Sequence, residues 1–313
     1  MQITRGITSP FERLRAWLER GLLSVQDLAR RYRSLQLAGL LGPGVFWLVV
    51  FFNLPLAIVL FISLVERGRA GGIRSPAVFT LENYAQFFDP LYLGIFWSSV
   101  RIATLVTLGC ILVGYPMAYF ISQRHSRWRD ALLLLVVIPF WTNFLVRTYA
   151  LKSALGTDGI INTLLLSSGL LGRPLELMFN EFAVVIGLVY GYLPFAVLPM
   201  YASIEKFDFS LMEAAADLGA GTWRAFYRVM LPMTLPGVVA AFVLVFVPVV
   251  GAFITPDLLG GGKVEMIGTL INRQFGVARN WPFGSAISFI LLLLVLIGVV
   301  AYFRSGSEDR RAL

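Results

Sequence analysis

Long apolar runs separated by short polar segments are the feature that most constrains the fold of this chain. Six runs reach the roughly 20 residues that a helix needs to cross a bilayer. The predicted spans lie at about 44–65, 95–121, 130–150, 182–203, 236–256 and 284–303. The runs are continuous and do not alternate with period two, which favours helices over a membrane barrel. With 58% hydrophobic and 14% charged residues, we expect an all-α membrane protein.

Basic residues are divided unequally between the two sides of this predicted bundle. Six spans place both termini on one side, which carries sixteen basic residues: Arg5, Arg13, Arg15, Arg20, Arg30, Arg31, Arg33, Arg124, Arg127, Arg129, Lys206, Arg224, Arg228, Arg304, Arg310 and Arg311. The other side carries eight: Arg67, Arg69, Arg74, Lys152, Arg173, Lys263, Arg273 and Arg279. Loops rich in Lys and Arg stay in the cytoplasm. We therefore expect both termini to be cytoplasmic, and the net charge of +8 requires no nucleic acid partner.

The polar ends of the chain set the expected domain limits. These are a cytoplasmic extension at 1–43, a six-span domain at 44–303 and a cytoplasmic tail at 304–313. In the extension, Ser9 and Glu12 form a capping-box pattern with Pro10 at the first helical position. Apolar residues follow at helical spacing: Phe11, Leu14, Leu18 and Leu22. This pattern predicts an amphipathic helix on the lipid surface, and a solvated arm is the alternative.

The polar segment between the fourth and fifth spans, residues 210–232, predicts a helix, a turn and a second helix. Ser210 and Glu213 match a capping box that starts the first helix near Leu211. Gly219 and Gly221 can take the left-handed conformation that ends a helix, and Thr222 can cap the next one. Small and aromatic residues are available for contact: Ala214, Ala215, Ala216, Trp223, Phe226, Tyr227 and Met230. Such a cytoplasmic surface suits docking on a soluble partner.

Residues that would indicate an enzyme are scarce in this sequence. A single cysteine, Cys110, excludes an intrachain disulfide, and a single histidine, His125, argues against a His-based metal site. Lys263 does not belong to a phosphate-binding loop, because Val264 follows it and the earlier glycine is missing. We expect no catalytic residues, no metal and no ATP hydrolysis in this chain.

Charged residues inside the predicted spans are equally few. Arg101 and Arg147 lie near predicted span ends, where they could snorkel to an interface; a functional role is the alternative. No acidic residue lies at a predicted midplane, although ion-coupled carriers usually need one. The sequence therefore argues against an ion-coupled carrier.

Several aromatic and polar residues could line a route through the bundle. Trp141, Asn143, Tyr149 and Tyr190 lie in predicted spans, and aromatic faces attract organic cations. Interfacial anchoring or core packing explains the same residues equally well. Asp257 follows the fifth span and could receive a cation at the outer mouth, or it could stabilise a loop.

The segment at 210–232 resembles the EAA signature of ABC-importer permeases. The matching residues are Glu213, Ala214, Ala215, Gly219 six residues after the glutamate, the aliphatic Val229, and then Leu231 and Pro232. Further stretches resemble the permeases of spermidine/putrescine importers in particular: 79–84, 89–92, 138–143, 186–190, 203–206, 257–261 and 280–284. The resemblance runs from about residue 45 to 303 and omits the first ~40 residues.

This resemblance implies a permease subunit of a bacterial inner-membrane importer. Such a subunit pairs with a second permease, sits on two ATPase subunits that hold ATP and magnesium, and receives cargo from a periplasmic binding protein. The EAA segment is then the coupling helix that inserts into the ATPase, which agrees with the docking surface inferred from its residues. The implied cargo is spermidine or putrescine. Another small cargo, such as an opine or iron, remains open, as do, in other classes, an ion-coupled carrier and a membrane enzyme.

Overall fold

The computed structural model describes residues 33–69 and 71–308. In these ranges the chain is helical apart from loops and two isolated antiparallel bridges, Val65 with Phe79 and Arg67 with Ile73. The helix predicted to begin near Ser9 lies outside the described residues. The chain divides after Phe61 into two compact units.

The helices are numbered in chain order. They are α1 (Arg33–Leu48), α2 (Leu54–Ser63), α3 (Glu82–Phe87), α4 (Pro90–Ser122), α5 (Ser126–Trp141), α6 (Phe144–Leu155), α7 (Ile160–Ser167), α8 (Glu181–Ile204), α9 (Ser210–Asp217), α10 (Thr222–Ala225), α11 (Leu231–Val250), α12 (Ile254–Gly260), α13 (Ile267–Phe275) and α14 (Trp281–Glu308). Two π-helical segments continue the helical path. Val49–Asn53 joins α1 to α2, and Phe226–Met230 joins α10 to α11.

Five described helical stretches are long and apolar enough to cross a membrane: Gly39–Ser63, Pro90–Ser122, Glu181–Ile204, Thr222–Val250 and Trp281–Val300. They confirm the first, second, fourth and sixth predicted spans to within a few residues. Continuous apolar runs that need internal hydrogen bonding in lipid account for this agreement.

The third predicted span, 130–150, is not one straight helix. Helix α5 and the pair α6–α7 meet at 91°, so the prediction of a continuous span was wrong. Thr142 is extended, with ψ 147°, and the Asn143 side chain accepts a hydrogen bond from Leu145 N at 2.8 Å, which starts α6. Helix α5 has 16 residues, about 24 Å at 1.5 Å per residue. Helix α5 alone is therefore shorter than a hydrocarbon core about 30 Å thick.

The fifth predicted span, 236–256, is displaced toward the N-terminus. It begins at Thr222 and ends at Val250, because the π-helical segment continues the helix through the aromatic residues before it. At the other end, Gly251 caps α11, and the chain turns before α12 starts at Ile254.

Helices α4, α8 and α11 pack against one another as the centre of the bundle. Their fully buried side chains include Ile102, Val106, Leu188, Met200, Ile204, Ala241 and Val245. At the crossing of α8 and α11, a Cβ added to Gly237 would lie 2.4 Å from Ser203 Cβ. Small residues permit such close helix approach in membranes. Thr234 adds a polar link, since its hydroxyl lies 2.8 Å from the Tyr115 hydroxyl and its carbonyl accepts from Ser203 Oγ at 3.3 Å.

Candidate functional site

The coupling segment, residues 210–232, begins with a helix cap that the sequence did not predict. Asp208 Oδ1 accepts from Ser210 N at 3.0 Å, and Asp208 O accepts from Leu211 N at 3.2 Å. Hydrogen bonds from the Ser210 side chain and backbone lower the pKa of the Asp208 carboxyl. The capping box of Ser210 with Glu213 was therefore wrong. The helical turn already starts at Asp208, and an ionised carboxylate is a stronger acceptor than a hydroxyl.

The end of α9 has the glycine turn expected from the sequence. Gly219 has φ +83°. Gly219 N donates to Ala216 O at 2.8 Å, and Ala220 N donates to Ala215 O at 2.9 Å. These two bonds form a Schellman motif, in which a left-handed residue satisfies the last free carbonyl groups of a helix.

The second helix of the segment starts differently from the prediction. Gly221 is extended, with φ −65° and ψ 157°, and is not left-handed. Its carbonyl accepts from Arg224 N at 2.9 Å and Ala225 N at 3.0 Å, so Gly221 is the cap. Thr222 is the first helical residue and cannot cap its own helix, which makes that expectation wrong too.

One face of the coupling segment is open and another holds it to the bundle. Leu218 is 89% exposed and Trp223 74% exposed, and Trp223 stacks on Tyr227 with centroids 6.2 Å apart. On the inner face, the Phe226 ring meets Tyr115 of α4 edge-on at 5.7 Å. The signature residues are exposed or half-buried at Ser210, Glu213, Ala214, Ala215, Gly219, Leu231 and Pro232. The segment thus presents an unpartnered aromatic and apolar surface on a fixed base.

An ion pair connects this region to the broken span. Arg129, near the start of α5, pairs with Glu205 at 2.8 Å, and Tyr201 is also hydrogen-bonded to Glu205. Glu205 directly follows α8, five residues before α9. The N-terminal end of α5 is therefore tied to the chain that leads into the coupling segment.

The break between α5 and α6 is held at the carbonyl of Pro139. This oxygen accepts from Thr142 N at 3.3 Å, from Thr142 Oγ1 at 2.7 Å and from Arg147 Nη1 at 3.3 Å. The Arg147 guanidinium therefore reaches back from α6 to α5. Snorkelling of Arg147 was a wrong expectation, because the 91° bend directs the side chain into the protein, where the residue is 8% exposed. Arg101 instead pairs with Glu181 at the start of α8.

Two of the five predicted pathway residues lie near the break between α5 and α6. Asn143 caps α6, and the Tyr190 ring lies 5.8 Å from the Arg147 guanidinium carbon. Trp141, the last residue of α5, and Tyr149 on α6 are both exposed. Asp257 is exposed on α12, which packs against α6 and α8.

The sequence did not single out the Phe residues around Arg147. Phe140 and Phe144 lie 5.5 and 5.6 Å from the guanidinium carbon. Their spacing was the available signal, since Phe140 lies seven residues and Phe144 three residues before Arg147. A cavity of about 570 Å³ opens beside them, lined by Phe140, Phe144, Arg147, Gly191, Tyr192, Phe195, Val243, Leu244, Val247, Pro248 and Val299. Across the described ranges, no three His, Cys, Asp or Glu side chains gather as a metal site requires.

The sequence from residue 110 to 307 matches the family model described as binding-protein-dependent transport system inner membrane component. The chain belongs to this family. It is thus a multi-pass inner-membrane permease subunit of an ABC importer, and the family is one of transport components, not of enzymes.

Individual relatives agree with this assignment. The permease is 45% identical over 260 residues to the spermidine/putrescine transport system permease protein PotB of Haemophilus influenzae, covering 83% of this chain and 90% of the relative. It is 43% identical to the protein of the same name from Escherichia coli, covering 83% and 94%. A crystal structure of a bacterial alginate ABC transporter, in complex with an alginate pentasaccharide-bound periplasmic protein, shares the fold. Its TM-score is 0.66 at 18% identity, with 86% of this chain and 92% of that chain covered.

Proposed function

We propose that this permease carries spermidine and putrescine across the inner membrane. The observation that supports this choice of cargo is the 45% sequence identity to a permease named for these two polyamines, over nine-tenths of that relative's length. The aromatic rings beside the cavity fit a cationic cargo, because ring faces attract ammonium groups. Another small cargo is the alternative, since a shared permease architecture does not by itself fix what is carried.

The assembly that we propose contains this chain, a second permease, two ATPase subunits and a periplasmic binding protein. ATP and magnesium would be held by the ATPase subunits. The periplasmic binding protein in this assembly is supported by the alginate ABC transporter, whose crystal structure contains a periplasmic protein. Leu218, Trp223 and Tyr227 would supply the surface that meets the ATPase, because exposed apolar and aromatic residues mark interfaces.

In this proposal the coupling segment passes the closure of the ATPase subunits to the spans. Glu213, Ala214 and Ala215 would contact the ATPase, Gly219 would set the turn, and Leu231 and Pro232 would begin the rigid part of the fifth span. Import would follow from alternation between outward and inward access.

The remaining roles concern the pathway and the ends of the chain. Trp141, Asn143, Tyr149 and Tyr190 would border the route, and Asp257 would receive the cation at its outer mouth. Residues 1–43 would form a cytoplasmic extension, and residues 304–313 a cytoplasmic tail behind the membrane domain at 44–303. The charge asymmetry supports this orientation.

Uptake by the purified importer tests the cargo. The complete complex, reconstituted in proteoliposomes with ATP inside and the binding protein outside, should accumulate labelled spermidine and putrescine and should hydrolyse ATP as it does so. Uptake that continues without ATP, or an importer that accepts neither polyamine, would refute the proposal.

Reporter fusions test the orientation. A reporter that is active only in the cytoplasm should work after Arg127 or Arg224 and fail near Arg74 or Gly262. The reverse pattern would contradict the cytoplasmic docking surface.

A further inference from the structure

Arg147 holds a positive charge where charges are costly. It lies within the broken span, is 8% exposed, and has no acidic partner among the described residues. Its described hydrogen bond is the 3.3 Å contact with Pro139 O. Ionisable side chains inside membranes are rare and usually mark function, so the surroundings of this one indicate what it does.

Those surroundings are aromatic. The guanidinium carbon lies 5.5 Å from the ring centroid of Phe140, 5.6 Å from that of Phe144 and 5.8 Å from that of Tyr190. All three distances fall within the limit of about 6 Å for attraction between a cation and a ring face. The rings come from α5, α6 and α8, so three helices converge on one positive charge. We call these three rings the aromatic box.

The hydrogen bond from Arg147 is not needed to satisfy Pro139. The same carbonyl keeps two donors from Thr142, at 3.3 and 2.7 Å. The aromatic box therefore accounts for the placement of the guanidinium better than the carbonyl does. Groups of aromatic rings are also the arrangement by which proteins bind organic ammonium ions.

The box opens onto a cavity that can admit a ligand. Phe140, Phe144 and Arg147 all line the cavity of about 570 Å³, which continues along Phe195 to Pro248 of α11. This volume lies within the range of roughly 300–1,000 Å³ that is usual for small-molecule sites. A cation in the cavity would meet Phe140 and Phe144, two of the three rings that surround Arg147.

We propose that the aromatic box is a binding site for a cargo ammonium group and that Arg147 is its resident competitor. This inference rests on the proposed polyamine cargo. An arriving ammonium takes over the ring faces, and the guanidinium leaves both the box and the Pro139 carbonyl. The residue that links α5 to α6 is released at the moment when cargo binds. A neutral or anionic solute gains nothing from the ring faces and does not displace Arg147.

If Arg147 competes with the cargo for the aromatic box, removing Arg147 should strengthen cation binding, which a purely structural role for Arg147 does not predict. When a site is free for only a fraction of the time, the apparent dissociation constant rises by the inverse of that fraction. If Arg147 fills the box nine-tenths of the time, its removal should tighten cation binding about tenfold. Loss of a merely structural residue would weaken binding or leave it unchanged.

The test measures binding to the full-length permease in lipid nanodiscs by calorimetry, with tetramethylammonium and spermidine as probes. Arg147→Met should bind both cations about tenfold more tightly than the wild type. Arg147→Lys should stay near the wild type, because an ammonium still fills the box. Adding Phe140→Leu to Arg147→Met should remove the gain. Arg147→Gln is a second neutral variant, for which the same roughly tenfold gain is expected. It replaces Arg147→Met in the test if the methionine variant does not insert.

Each outcome decides one question. Neutral variants that bind tetramethylammonium no more tightly than the wild type overturn the proposal, whatever the cargo is. A gain that persists when Phe140→Leu is added also overturns it, because the rings would not be the site. If the neutral variants gain affinity for tetramethylammonium while the wild-type importer takes up no polyamine, the aromatic box is supported and the cargo assignment fails.

Discussion

Replacing Gly219 by valine isolates the effect of one backbone angle on the coupling segment. Gly219 has φ +83°, and no atom lies within 4 Å of a Cβ built on it. The substitution therefore creates no clash with neighbouring atoms. Its cost comes from placing a β-branched residue in the left-handed region, where even an ordinary L-residue pays roughly 1–2 kcal/mol.

Gly221 supplies the matched control two residues away. It is also in open space, but its φ of −65° and ψ of 157° suit a β-branched residue. Gly221→Val incurs no left-handed strain, and the smaller entropy loss on folding offsets part of the cost of a less favoured residue at the N-cap of α10. The difference between the two valine variants thus measures the strain at Gly219. About 1–2 kcal/mol corresponds to a change of roughly 5- to 30-fold in the population of the native turn.

The assay compares both variants, inserted in nanodiscs, for hydrogen exchange in residues 210–220 and for affinity toward the ATPase subunits of the importer. Gly219→Val should exchange faster and bind the ATPase more weakly by up to the same factor, while Gly221→Val should stay closer to the wild type. Gly219→Asn should lie between them, because asparagine tolerates the left-handed region. Equal behaviour of the two valine variants would refute the argument that this turn positions the docking surface.

Three further predictions follow from the described contacts. Because the pKa of Asp208 is lowered, its cap on α9 is fully present above the ordinary pKa of Asp and is lost as the pH falls through the lowered value. The hydrogen-exchange protection factors of α9, which correct for the intrinsic pH dependence of exchange, should therefore fall in acid, and Asp208→Asn should abolish that fall. Gly237→Ala should destabilise the bundle by about 1–3 kcal/mol in thermal unfolding, since its Cβ would overlap Ser203, whereas Gly191→Ala, whose nearest contact is 3.7 Å, should not. Asp257→Asn should lower polyamine uptake without loss of ATPase binding, and normal uptake would remove Asp257 from the proposed route.

The apolar runs predicted where most spans lie but not the break in the third one. Hydropathy averaged over 130–150 is insensitive to the extended conformation of Thr142, because the residues on both sides remain apolar. Local chemistry marked the position: Pro139 is followed by Asn143, a good helix cap. Proline occurs in several spans that stay helical, such as Pro194 in α8, so proline alone could not identify the break.

The candidate site shows a similar division between local and tertiary information. The turn at Gly219 was predictable, because a glycine closing a helix is a local property. The sequence prediction placed the cap at Ser210, but Asp208, two residues earlier, can also accept a hydrogen bond from the first backbone N–H groups. Asp208 is the cap because the first helical turn starts there. The aromatic box joins three helices through a bend. The sequence marked Tyr190 as a candidate for the route but could not place it beside Arg147, because that contact depends on how α8 packs against the bend.

The π-helical segment Phe226–Met230 joins the coupling segment to the fifth span without a break, so Thr222–Val250 is one helical stretch. This stretch lies close to α8 at Gly237, where an added Cβ would overlap Ser203 and lie 2.8 Å from Pro199 O. From Gly237 the arm toward Thr222 is about 22 Å long and the arm toward Val250 about 20 Å, at 1.5 Å per residue. A rod that tilts about this point moves its two ends by nearly equal distances in opposite directions. A pull on the Thr222 end would therefore swing the Val250 end, and the Gly251 turn attached to it, in the opposite direction by almost the same amount.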